Sequence, residues 1–232
     1  MYKLYLILFF SLFCMSCSET YHIEGSTTVS NADGKKLFIK VFSNDEWVNA
    51  DSSEVIHGLF EMKGSVDSAV IASLFLGDNC LMPLVLEKGK ITINIDKTGV
   101  CVKGTPLNDC FHAFVIQKNT LDDRADEVER LEARMIMDGQ DPAVVQQEID
   151  KQRAELSREV DQLVKSFIQD NYDNVLGAGM FLMIGHSFPY PILTPLLEDI
   201  VDQAPEKFKN NPLIKKYVSE ARDNMNGRRM DN

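Results

Sequence analysis

Asp51, Ser52, Ser53 and His57 lie in one short stretch and hold the acid, the hydroxyls and the base from which a nucleophile–base pair could be made. Such a nucleophile needs a strained elbow that exposes its hydroxyl, and donors aimed at an oxyanion. A turn beside a strand supplies neither, so Asp51 and Ser52 are assigned the local task of bonding backbone groups at a strand entrance. Beyond residue 17 the cysteines are Cys80, Cys101 and Cys110. Cys80 and Cys101 fall on or beside predicted strands and could pair, but spacing alone does not place their Cα atoms within bridging distance. The preferred reading makes all three small buried hydrophobes. Cys110, near a predicted helix start and followed by His112, is the thiol with a base close in sequence. His22, His57, His112 and His186 are scattered without any metal-ligand spacing, so no metal site is expected. Phosphate-cradling glycine loops are missing too, and no cofactor is expected. These residues point to a protein that is not an enzyme.

The elements that would position these residues divide the chain in two. Residues 51–64 read as a hairpin in which 52–56 runs up, His57-Gly58 turns and 59–63 runs back. Gly58 supplies the positive φ of a tight turn, and alternation makes Val55, Leu59 and Met62 inward candidates. Residues 21–29 form a first strand, and the cluster at 31–34 a turn. Residues 36–42 follow, with Leu37, Ile39 and Val41 on one side and Phe38, Lys40 and Phe42 on the other. Phenylalanine on both edges of that pattern predicts two partly covered faces. Residues 47–50 lead into the hairpin, and the apolar run 69–76 reads as a central strand buried on both faces. Residues 81–87 and 90–96, joined by Lys88-Gly89, form a second hairpin, and 99–103 closes the set. Trp47, Tyr21 and Phe42 could mark a ligand face on this sheet; core packing explains them as well and is preferred.

After residue 105 the period changes from two to about 3.6. Phe114, Leu121, Val128 and Met135 recur at intervals of seven over residues 106–137, with Asp138-Gly139 as a stop signal. Asp141 and Pro142 then make an N-cap and first-turn pair, and Val145, Ile149, Gln152, Leu156, Val160, Leu163 and Phe167 carry the second seam. Two seams joined by so short a break predict a long antiparallel helical hairpin, with charged stripes read as solvated faces. Residues 174–184 form a short apolar packing helix in which Gly177, Ala178 and Gly179 allow close approach. Further helices are expected at 196–201 and from Pro212 to 222, with a frayed polar tail over 224–232. The fold class is therefore α+β. An N-terminal antiparallel β-sandwich or barrel-like sheet spans 17–105, and an all-helical region with the hairpin spans 106–223.

With 44% hydrophobic residues in 232, the chain has material for a sizeable core, and its net charge of −11 excludes a basic face for nucleic acid or anionic lipid. At the start, Lys3 precedes an apolar run over 4–13 that is too short to cross a bilayer and fits a secretory signal over 1–16. Ser16 directly before Cys17 resembles the lipobox of bacterial lipoproteins, with departures at Cys14 and Met15. That resemblance implies cleavage before Cys17, lipidation of its thiol, and a chain tethered to the outer membrane. The other reading is an ordinary secreted protein.

The stretches ADSSEVIHGLFEMKGSV, PLVLEKGKITINID and VKGTPLND together resemble a Bacteroidetes lipoprotein module, the domain-of-unknown-function family 4369. The matching positions are Asp51, Ser52, Gly58, Phe60, Gly64, Glu87, Gly89, Gly104 and Thr105. In that family the module often precedes a thioredoxin-like domain of thiol–disulfide lipoproteins. Here the sole Cys-x-x-Cys is Cys14 to Cys17, inside the export signal, and no βαβ pattern follows, so the chain reads as the non-catalytic front portion. The function expected is a membrane-anchored binding or scaffolding module with a protein partner in the cell envelope. The alternative is an accessory to a thiol–disulfide system that works with a separate catalytic partner.

Overall fold

The computed structural model describes residues 19–43 and 46–230. The export signal and Cys17 lie outside the described residues. Eight strands come first: β1 (Glu19–Thr27), β2 (Lys36–Ser43), β3 (Glu46–Glu54), β4 (Leu59–Val66), β5 (Val70–Leu76), β6 (Asn79–Leu86), β7 (Gly89–Ile95) and β8 (Val100–Lys103). Six helices follow: α1 (Pro106–Met137), α2 (Pro142–Asp170), α3 (Val175–Gly185), α4 (Pro195–Gln203), α5 (Glu206–Lys209) and α6 (Pro212–Met230). The last of these runs to Met230, past the expected end at 222.

The strands form two four-stranded sheets, ordered β4-β1-β7-β8 and β3-β2-β5-β6. Their facing sides share one core that includes Ile23, Phe60, Met62, Ile91 and Ile93 from the first sheet and Leu37, Ile39, Leu74 and Leu84 from the second. The α+β expectation holds, and β5 is the central strand that its apolar run predicts, paired with β2 and β6. Both predicted hairpins, however, are corners between sheets. His57 (φ 52°) and Gly58 (φ 73°) do form a tight turn, closed by the bridge from Ile56 to Leu59. Beyond it β3 pairs with β2 while β4 pairs with β1. Likewise β6 and β7 separate at Lys88-Gly89, and β7 lies parallel to β1. A two-residue turn fixes reversal of direction, but the partner that completes each ladder is set by which inner face the strand must bury. Leu59, 61% exposed, is not an inward residue; Phe60 at 5% takes that place.

The helices add a third layer on the outer side of β5 and β6. There Ile71, Pro83 and Val85 meet Phe111, Phe167, Leu176 and Met180. As the glycine run of α3 predicts, a Cβ on Gly179 would stand 1.9 Å from Ile71 Cδ1. The β2–β3 half of the same face is left open. Phe42 (56%) and Trp47 (49%) are exposed on it, which overturns core packing for both; Val48 (52%) is exposed beside them on the opposite face, and Tyr21 at 5% is buried.

α1 starts at the end of the sandwich where β1 begins. Asn108 lies beside Val85 near the end of β6, and one helical turn on His112 reaches Cys101 near the start of β8. The helix therefore climbs the sandwich toward the opposite end. Asp141 caps α2 by accepting from Ala143 N–H at 2.8 Å, and Gly139 turns at φ 72°, as the sequence predicts. Val128, Met135, Val145 and Ile149 form a cluster separate from the main core. The distal half of the hairpin is thus an arm with its own small core, about 25 Å long at 1.5 Å per residue.

Candidate functional site

The matched motif positions gather into two structural groups. In the first, cross-strand partners pair an aromatic ring with a glycine: Gly25 opposite Phe60 and Gly64 opposite Tyr21. A Cβ on Gly25 would fall 1.9 Å from Phe60 Cζ, and one on Gly64 2.3 Å from the Tyr21 hydroxyl oxygen. Each ring lies over the strand where a side chain is missing. The Tyr21 hydroxyl donates to Asp51 Oδ2 at 2.8 Å, while Asp51 Oδ1 accepts from Ser52 N–H at 2.7 Å. Burial first, then the Asp51 hydrogen bond and charge, hold the Tyr21 phenol protonated well above its usual range. Asp51 thus ties β3 to β1 and is turned away from His57, which is exposed on its turn; the imagined nucleophile–base set is not assembled.

The second group clasps α1 to the sheets. Glu87, at the end of β6, accepts from Leu107 N–H (2.9 Å) and Asn108 N–H (3.2 Å), so a side chain 20 residues earlier caps the helix. Thr105 occupies the N-cap position without a side-chain cap bond; its hydroxyl accepts from Asn108 Nδ2 at 2.8 Å instead. Asn108, 1% exposed, accepts from Val85 N–H at 2.9 Å and donates to Val85 C=O at 2.7 Å. It occupies the β6 edge as another strand would. Gly104 (φ 102°) lies where a Cβ would meet Lys90 C=O at 2.6 Å, and Gly89 (φ 119°) turns against Thr105. Sequence reasoning missed Asn108 and Gly25; Tyr21 is buried as preferred, but its bond to Asp51 was not foreseen. An amide in the first helical turn, between Leu107 and Asp109, was the signal for Asn108, and spacing could not say that it faced a strand.

The cysteines are free: Cys80 is exposed, Cys101 and Cys110 half-buried, so neither the pairing nor full burial holds. His112 meets Cys101 rather than Cys110, with Sγ 3.8 and 3.9 Å from its two ring nitrogens. Burial, then the Lys103 charge, push the His112 pKa down against the pull of Asp109. The other histidines stay apart, His22 against Glu61 at 2.6 Å and His186 against the Tyr217 ring at 5.7 Å. Among the described residues no three His, Cys, Asp or Glu side chains come together as a metal site.

Several surfaces could receive another molecule. At the far end of the sandwich an apolar cleft of about 370 Å³ is lined by Val29, Leu37, Val55, Leu76, Ile95 and Val100. Along the arm runs a groove of about 500 Å³ whose floor includes Val128, Leu131 and Leu156 and whose rims carry Arg124, Arg134 and Glu155. Arg124 is locked across the arm to Glu159 through two contacts of 2.5 and 2.7 Å. At the arm's tip Ile136 (62%), Met137 (85%) and Val144 (54%) are exposed.

These features define an α+β protein in which a two-sheet sandwich is clasped to a helical layer through its first helical turn. Residues 21–111 match the model of the family described as Domain of unknown function (DUF4369), so this part of the chain is a DUF4369 domain. The match ends within the first turns of α1, and so it takes in the Asn108 clasp. No curated protein matches the chain.

Proposed function

We propose that this chain is a non-enzymatic lipoprotein of the cell envelope, held on the outer membrane through Cys17, that binds or scaffolds a protein partner with its helical arm. The observation that carries the reading is the arm. Its cluster of Val128, Met135, Val145 and Ile149 stands apart from the main core, so it adds little to the sandwich's own stability. Its tip nevertheless exposes Ile136, Met137 and Val144. Exposed apolar groups at the end of a projecting element mark an interaction surface. The tether is supported by the lipobox resemblance at Ser16-Cys17, and no helix among the described residues is long and apolar enough to cross a membrane.

Two measurements test the reading. Radiolabelled palmitate is expected to enter the wild-type chain and to be lost from Cys17→Ala; label missing from the first or retained by the second ends the anchor. The chain without its lipid is expected to recover a protein from envelope extracts and to lose it when Ile136, Met137 and Val144 are all replaced by Asp. Recovery that never rises above background, or that is indifferent to the triple substitution, removes the binding role of the arm.

A further inference from the structure

The β2–β3 tip carries an exposed apolar group that includes two aromatic rings, at the opposite end of the molecule from the arm. We infer that Phe42, Trp47 and Val48 form a second membrane contact, seated in the headgroup region of the phospholipid bilayer that holds the chain. The inference rests on the tether proposed above and names what the tethered face does.

Strand directions place the tip. β3 runs into the His57-Gly58 turn and β4 out of it, so β3 begins at the end where β4 finishes. Val66 of β4 is there paired with Glu19, the first residue of β1. The tip and the start of β1 therefore share one end of the sandwich. The Tyr21–Asp51 hydrogen bond of 2.8 Å fixes their relative height. From Asp51 to Trp47 is four residues, and from Tyr21 back to Cys17 is also four. With Ala50 bulged out of register, Trp47 lies three ladder positions, or about 10 Å at about 3.3 Å per residue, beyond the Tyr21–Asp51 level. The chain thus enters β1 at Glu19 from the end of the sandwich that carries the Trp47 indole.

The chemistry of the tip suits a headgroup layer. Trp47 stands edge-on between Phe42 and Phe75, with ring centroids 5.2 Å from each. The Lys40 ammonium lies 4.4 Å from the Phe75 centroid and 5.4 Å from that of Phe38. The result is an aromatic wedge backed by a lysine, as side chains with an apolar body and a polar partner are at membrane interfaces. Exposed Glu46 beside Trp47 and the net charge of −11 favour a weakly charged surface over an anionic one. With acyl chains supplying the attachment, the tip sets orientation: tethering raises its effective concentration at the bilayer, so a contact too weak alone becomes populated. The arm, leaving the sandwich at the other end, then points away from the membrane toward its partner.

Trp47 is the only tryptophan in the sequence, so its emission reads the tip without labelling. The chain is studied in three states on phosphatidylethanolamine–phosphatidylcholine vesicles. These are the lipidated protein, a form with a hexahistidine segment in place of residues 1–18 on nickel-chelating lipid, and a form tethered the same way by its C-terminus. Both N-terminal tethers are expected to shift Trp47 emission to the blue, to reduce acrylamide quenching severalfold and to bring quenching by brominated phosphatidylcholine. The C-terminal tether is expected to do none of these, and Phe42→Ser with Val48→Ser to abolish the lipid quenching. Acrylamide access on the N-terminal tethers equal to that of the free chain, without brominated-lipid quenching, overturns the inference. Equal quenching from either terminus overturns it as well. A mature chain whose mass shows no acyl group defeats the anchor reading alone, since the nickel-lipid form still decides the contact.

Discussion

Asn108→Ala is expected to lower the free energy of unfolding by about 3–4 kcal/mol, because it leaves two buried backbone groups of Val85 without partners at about 1–3 kcal/mol each. Val85 is 1% exposed, and Asn108 meets both its N–H and its C=O, so water cannot replace the lost bonds without opening the seam between β6 and α1. Urea denaturation followed by circular dichroism reads the effect as a shift of the midpoint at unchanged slope. Asn108→Asp preserves the shape and removes the donor. It sets a carboxylate against Val85 C=O and is expected to cost at least as much at neutral pH. Relative to wild type at the same pH the penalty should shrink in acid, where a protonated carboxyl can donate again. A change below about 1 kcal/mol in either variant would mean that Asn108 is a bystander to the clasp.

The second large effect is expected at Gly25→Val. A Cβ there would lie 1.9, 2.2 and 2.5 Å from three atoms of the Phe60 ring. The 5%-exposed ring must therefore leave the core or force β1 and β4 apart. Overpacking plus partial loss of a buried aromatic is expected to cost about 3 kcal/mol or more. The double variant with Phe60→Leu separates steric conflict from a general need for glycine. If the ring is the obstacle, the pair together costs less than the sum of the two singles, with a coupling of about 1–2 kcal/mol. Strict additivity would show that Gly25 serves the backbone rather than the ring.

Both predictions concern residues whose importance lies in what stands opposite them, and that marks the limit of reading the chain in one dimension. The turn at His57-Gly58 was legible because positive φ at a two-residue turn is a local demand. That β3 and β4 then enter different sheets was not, because the choice between β1 and β2 as partners is made by the shared core. The same limit explains Trp47 and Phe42. Their residue types suggest burial, but whether α3 covers the β5–β6 half or the β2–β3 half of the sheet depends on where the clasp at Glu87, Gly104 and Asn108 aims α1. Cys101 and His112 meet through that same docking, while the thiol nearer to His112 in sequence, Cys110, is turned toward Asn171.

The sequence by itself determined the order of the strands and long helices, the change of period at residue 105, the Gly139 and Asp141 signals at the turn of the helical hairpin and the family positions. Each of these is fixed by neighbours within a turn or two along the chain. Tertiary structure alone decided what those positions are for. Glycines at 25 and 64 receive the rings of Phe60 and Tyr21, and a glutamate just after β6 caps a helix that follows β7 and β8 in the chain. The aromatic tip and the start of β1 share one end of the sandwich while the arm leaves by the other. Such pairings are set by long-range packing, in which a residue's partner is chosen by the face the whole domain must bury.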